Sequence, residues 1–116
     1  MAEYPFRVDP QTERAVRVFL GRIAGDYPVA GVRLYGSRAR GDYDKYSDAD
    51  LAVFLRGPQG SLMSTSIAMA GIAFDVLLDT DVLISPLPIW EEEWAHPESY
   101  SNPRLLENIR REGVPL

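Results

Sequence analysis

Three aspartates stand where aspartate is out of place. Asp48 and Asp50 belong to "DADLAVFL", residues 48–55, an alternating run stopped by Arg56-Gly57-Pro58 that reads as a β-strand. Side chains alternate sides along a strand, so Asp48, Asp50, Ala52 and Phe54 share one face, and Ala49, Leu51, Val53 and Leu55 share the other. Two carboxylates two residues apart on one face lie roughly 6–7 Å from each other. At an effective dielectric near 20 their repulsion is about 2–3 kcal/mol. Asp75 sits among the apolar residues of "IAFDVLLDT", which reads as a later strand, and strand interiors disfavour aspartate. A divalent cation shared by the three would remove the repulsion, and hard Mg²⁺ takes carboxylate oxygen together with phosphate and water. Blander readings stay open: Asp48 could start its strand through the turn chemistry of Ser47-Asp48, and Asp75 could pair with an arginine such as Arg33.

Upstream, "YGSRARG" ends one strand and begins a turn. Gly36 lets backbone approach a ligand closely, and Ser37 offers a hydroxyl and an amide N–H. Arg38 and Arg40 add charge, with Arg38 the weaker candidate because its neighbour parity could turn it outward. Amide groups beside arginine form a cradle for phosphate. Gly-Ser is also an ordinary turn pair, and no Walker pattern is present. The cradle gains meaning from the aspartates that follow it: one would hold phosphates, the other the metal that bridges them.

These side chains need elements to position them. "DPQTERAVRVFLGRIAG" predicts a helix capped by Asp9, with Pro10 at its first position, an apolar face of Ala15, Val18, Phe19 and Ile23, and Gly25 to end it. "GVRLYG" predicts a short strand, Gly31 to Gly36, and "SRARGDYDKY" a polar loop with room for one helical turn. After the aspartate strand, "GSLMSTSIAMAG" fits a short helix opening near Gly60, then the strand holding Asp75, then a fourth strand at "VLIS" stopped by Pro86 and Pro88. "NPRLLENIRREG" predicts the last helix, capped by Asn102 and ended by Gly113. The order is helix, strand, strand, helix, strand, strand, helix. It implies an α+β or mixed α/β fold, a small mixed sheet with helices packed on it.

Length and composition bound the rest. At 116 residues, one domain spanning 1–116 is expected. A net charge of −5 argues against broad nucleic-acid binding, although Arg33, Arg38, Arg40 and Lys45 sit close in sequence. Lys45 is the sole lysine. The chain has no cysteine, which removes disulfides, zinc thiolates and thiol catalysis. No apolar run is expected to reach membrane-spanning length, and the N-terminus lacks the apolar core of a signal peptide. A cytoplasmic protein with no direct nucleic-acid or membrane partner is expected. His96, in "EWAHPES", reads as a surface or structural residue.

Gly36-Ser37, ten residues, then Asp48-Ala49-Asp50 resembles the G-S-x10-D-x-D signature of the nucleotidyltransferase superfamily built on the DNA polymerase β-like palm, and Arg40-Gly41 matches its G-S-x-x-R-G extension. The resemblance is strong from about Leu34 to Asp79, and Asp75 falls where the family places a third carboxylate on a following strand. The short chain resembles the minimal nucleotidyltransferase (MNT) group, whose members are often antitoxins paired with a HEPN-domain ribonuclease toxin. The resemblance implies Mg²⁺-dependent transfer of AMP from ATP to a tyrosine of the HEPN partner. It implies two Mg²⁺ ions among Asp48, Asp50, Asp75 and the ATP phosphates, with Asp75 also placed to accept the hydroxyl proton and Gly36, Ser37 and Arg40 holding nucleotide. Two other readings remain: an antitoxin that acts by occlusion alone, and a nucleotide- or metal-binding module without transfer. The late cluster Leu87, Ile89, Trp90, Trp94 and Tyr100 could form a partner interface or cover the sheet.

Overall fold

The computed structural model describes residues 8–116. Helix α1 (Pro10–Ile23) starts where Asp9 accepts the Thr12 N–H at 3.0 Å, with Pro10 in the first turn. It buries Ala15, Val16, Phe19 and Ile23, a stripe at helical spacing. Strand β1 (Val29–Tyr35) leads into the single turn α2 (Ser37–Arg40), closed by Gly41 in a left-handed conformation at φ 94°. Strand β2 (Ala49–Leu55) follows.

Residues 62–80 correct two expectations. They form one 19-residue helix, α3 (Leu62–Thr80), in place of a short helix and a strand. Met69, Ala73, Val76 and Thr80 are its buried positions, at offsets of four, three and four residues, which is a helical period. Ser61 caps it through the Ser64 N–H at 3.2 Å, and Asp81, at φ 62°, ends it in a left-handed conformation. The β-branched and aromatic content of "IAFDVLL" favours a strand, but packing on α1 and β3 decides for the helix. By length and composition α3 is also apolar enough to cross a membrane, contrary to the expectation that no run would be.

The next strand, β3 (Ile84–Trp90), runs through both prolines that were expected to stop it. The reason is its place. The four-stranded sheet has the order β3-β2-β1-β4, so β3 is an edge. The Leu83 carbonyl accepts from the Ala49 N–H at 2.8 Å, which turns odd-numbered positions toward β2 and leaves 86 and 88 facing outward. Proline at an outward position breaks no ladder bond. Helix α4 (Glu91–Ala95), a 3₁₀ turn (Pro97–Ser99), helix α5 (Pro103–Glu112) and the short strand β4 (Val114–Pro115) complete the chain. β1 pairs antiparallel with both β2 and β4, while β2 and β3 are parallel. This is the α+β arrangement expected, with helices on both faces of a mixed sheet.

The two sheet faces have separate cores. Leu34, Leu51, Val53 and Ile84 pack under α1 and α3. Ala52, Phe54 and Ile89 pack under Leu106 and Ile109 of α5. Trp94 lies against Phe54, with ring centroids 4.7 Å apart, and beneath the Arg110 guanidinium at 3.9 Å. Trp90 is buried with its ring edge over Gly60, where a Cβ would come within 2.9 Å. Both tryptophans therefore cover the protein's own sheet, while Leu87, Trp94 and Tyr100 stay partly exposed.

Candidate active site

Asp50 projects from the first turn of β2 onto the face covered further along by α5. Register fixes its neighbours: Tyr35 stands opposite on β1, and Ser85 opposite on β3. Paired residues point to the same side of a sheet, so Tyr35, Asp50 and Ser85 form a row. Asp48, two residues earlier and exposed, adds its charge on the same side. Burial raises the Asp50 pKa first, the Asp48 charge raises it further, and the nearby Arg40 guanidinium works against both. Among the described residues no side chain donates a hydrogen bond to Asp50. A half-buried carboxylate that is crowded by another and left without a donor is suited to a cation.

Gly36 makes the room. Its φ of 73° and ψ of −157° lie outside the range of ordinary side chains, and a Cβ there would collide with Oδ2 of Asp50 and sit 3.2 Å from its Cγ. Backbone thus passes directly over the Asp50 carboxylate. Ser37 opens α2 beside it, half-buried.

The two arginines of the loop divide their work. Arg38 is buried rather than turned outward. Its Nε donates to the Ser47 carbonyl at 2.8 Å, one terminal nitrogen donates to Thr12 Oγ1 at 2.8 Å, and its guanidinium lies 4.7 Å from the Tyr43 ring centre. The same group is 3.9 Å from Asp9. Burial pushes the Asp9 carboxyl up, but hydrogen bonds from Thr12 and Tyr43 and the Arg38 charge outweigh it, so its pKa is lowered. Arg38 therefore binds the loop that carries Asp48 to the start of α1. Arg40 is exposed and shared between Asp42, at 3.3 Å, and Glu112 of α5, at 3.7 Å. Exposed and only loosely committed, it is the arginine free to meet an anion.

Asp75 does not join this site. It is exposed on α3, and α3 covers the opposite face of the sheet. The strand that could have carried a third carboxylate is β3, and at the register of Asp50 it carries Ser85. Among the described residues no group of three or more acidic, histidine or cysteine side chains could hold a metal. Asp48 and Asp50 are hard oxygen donors that fit one divalent ion completed by phosphate and water. They do not supply a protein cage for two. His96 lies on the surface, 3.3 Å from Glu98 and outside the site.

The sequence does not single out Tyr35, and it places Tyr100 only in the late aromatic cluster, yet both lie near Asp50 or its neighbours. Tyr35 has its pKa pushed up to about 12 by burial, then by Asp50 and Tyr100. Tyr100 is raised by burial and then by Glu93. Both phenols keep their protons at neutral pH; Tyr35 stands in the row with Asp50, and Tyr100 lies near Tyr35. The position of Tyr35, immediately before Gly36, carried the signal: an antiparallel β1–β2 pair through this loop sets it against Asp50. Nothing in the sequence brings Tyr100 there.

No curated protein matches the chain. A Sulfolobus solfataricus protein of known crystal structure, itself only provisionally assigned as a nucleotidyltransferase, superposes with a TM-score of 0.48 at 21% identity, covering 78% of this chain and 82% of that one. So distant a likeness carries no argument about chemistry. The family model described as the nucleotidyltransferase domain matches residues 16–103, a span that includes Gly36, Ser37, Arg40, Asp48 and Asp50. With that match over most of its length, the chain belongs to the nucleotidyltransferase domain family, whose general function is the transfer of nucleotidyl groups.

Proposed function

We propose that the chain transfers AMP from ATP to a protein hydroxyl, a tyrosine on a HEPN-type ribonuclease, and so acts as the antitoxin of that toxin. The observation that carries the reading is Asp50 set against the backbone of Gly36, within reach of the Asp48 and Arg40 charges. A bound Mg²⁺ would neutralise the ATP phosphates and stabilise the departing pyrophosphate. The chain's own residues do the positioning. Asp48 and Asp50 fix where that positive charge sits. Gly36 lets the phosphates approach the backbone, Ser37 offers its hydroxyl and amide, and Arg40 exchanges Asp42 and Glu112 for the outer phosphates. The acceptor oxygen bonds to the α-phosphorus as the bond to the bridging oxygen breaks. Pyrophosphate leaves, and the phenolic proton passes to it or to water.

A second reading, an antitoxin that binds and occludes its partner without modifying it, draws support from Ser85, which leaves the row beside Asp50 one carboxylate short. Co-expression with the product of the neighbouring gene, followed by intact-mass measurement, separates the two. Added mass in units of AMP on the partner, absent with Asp48→Asn, is the expected result. A bound, inhibited and unmodified partner favours occlusion, and AMP found only on this chain refutes transfer to a partner.

A further inference from the structure

Helix α3 is apolar on two faces, and only one is covered. Met69, Ala73, Val76 and Thr80 face the core. On the far side Met63, Ile67, Phe74 and Leu78 are 74%, 67%, 56% and 68% exposed, and Ala70 and Gly71 lie exposed between them. At 100° per residue all six fall within one arc of about 100° along the helix.

The order of side chains along the stripe points to its occupant. Read from either end it runs large, large, small, small, large, large. Reversed about the midpoint between residues 70 and 71, Met63 exchanges with Leu78, Ile67 with Phe74, and Ala70 with Gly71. A two-fold axis perpendicular to the helix through that midpoint lays a second copy antiparallel across this face, with the large side chains meeting on either side and the two small residues at the crossing. A second observation agrees. Gly71 sits inside a helix, where glycine lowers helix stability, and a Cβ built there meets nothing within 4 Å. The chain's own packing does not call for glycine, whereas a helix crossing at that point does, because the missing Cβ lets two backbones approach.

We propose that α3 is a homodimer interface, two copies crossing antiparallel at Ala70 and Gly71. An anionic lipid surface is disfavoured: the charged residues of α3 are Asp75 and Asp79, and the chain as a whole is acidic, so nothing on this helix attracts such headgroups. The stripe offers roughly 500–600 Å² of apolar surface per copy, below the roughly 800 Å² per partner of a standard interface. A weak dimer is therefore expected, populated as protein concentration rises. Because α3 lies on the sheet face opposite Asp50, the dimer leaves both candidate active sites open and turned away from the contact.

Sedimentation equilibrium of the full chain across a concentration series tests this. The 13.0 kDa chain should shift to twice that mass as concentration rises. Phe74→Glu and Ile67→Glu should each keep the wild-type circular dichroism and melting transition at low concentration but raise the dimer dissociation constant at least about tenfold. Gly71→Ala supplies the sharper reading, since alanine fits the isolated chain: its dilute-solution melting temperature should rise while its dimer weakens. Wild-type protein that stays monomeric up to about 0.5 mM, whether or not it binds phosphatidylcholine vesicles or a heterologous partner, overturns the proposal. A dimer unaffected by Phe74→Glu and Ile67→Glu also overturns it.

Discussion

Replacing Asp50 with asparagine should make the protein more stable, and only where Asp50 is ionised. The carboxylate is half-buried, receives no hydrogen bond from a described side chain, and faces Asp48 two residues away. Two strand residues span about 6.7 Å. Coulomb's law then gives about 2.5 kcal/mol of repulsion at an effective dielectric of 20 and about 0.6 kcal/mol in bulk water. Asp48 is exposed, so screening moves the value toward the lower limit, and about 1 kcal/mol is expected. For a domain of this size that is roughly a 4 °C rise in melting temperature. The sign with pH follows from the direction of the Asp50 shift. A carboxyl whose folded pKa lies above its ordinary value of 3.8 binds protons more tightly in the folded state. Its penalty is absent well below pH 3.8, grows as pH rises toward the folded pKa, and is fully present above it. Melting curves of the wild type and Asp50→Asn at pH 3 and pH 7 should therefore coincide at the lower pH and separate at the higher. Adding Mg²⁺ at pH 7 should raise the wild-type transition and leave that of Asp50→Asn nearly unmoved. A variant less stable than wild type at pH 7, or a gain of equal size at pH 3, would refute the account of a crowded carboxylate.

Gly36→Ala forces a side chain into a positive φ and against Asp50, so denaturant titration should show a loss of about 1–3 kcal/mol together with loss of the Mg²⁺-induced stabilisation. Arg38→Met removes the buried donors to Ser47 and Thr12, and should cost about 2–3 kcal/mol while speeding amide exchange through residues 41–48. Asp75→Asn, exposed on the far side of the sheet, should leave both the Mg²⁺-dependent shift in melting temperature and the pH profile of Asp50 unchanged. A loss of either would return Asp75 to the site.

The site was more legible than the elements around it. Gly36, Ser37 and the Asp48–Asp50 pair are neighbours in sequence, joined by a loop and one strand, so local spacing and strand parity suffice to place them together. Placing Asp75 takes a long-range step, from element type to sheet position, and its segment is a helix rather than a strand. α3 defeats periodicity because it is apolar on two faces, so neither face stands out from the run. In the sequence Pro86 and Pro88 read as stops to β3, since only the sheet order reveals that they face outward. Arg38 looked like a surface cation; Thr12 and Ser47, distant or unremarkable in sequence, are what make it internal.

The two prolines of β3 also limit how copies of this protein can meet. The outward side of an edge strand normally offers a row of N–H and C=O groups to which a strand from another molecule can add. On β3 two successive outward positions, Pro86 and Pro88, have carbonyls but no N–H. An incoming strand would find its own acceptors unanswered over the middle of the edge, so this side of the sheet is closed to growth by strand addition and to the runaway pairing that leads to fibres. Self-association is thereby steered away from the open-ended route of stacking sheet on sheet and toward contacts that stop at a fixed number of copies.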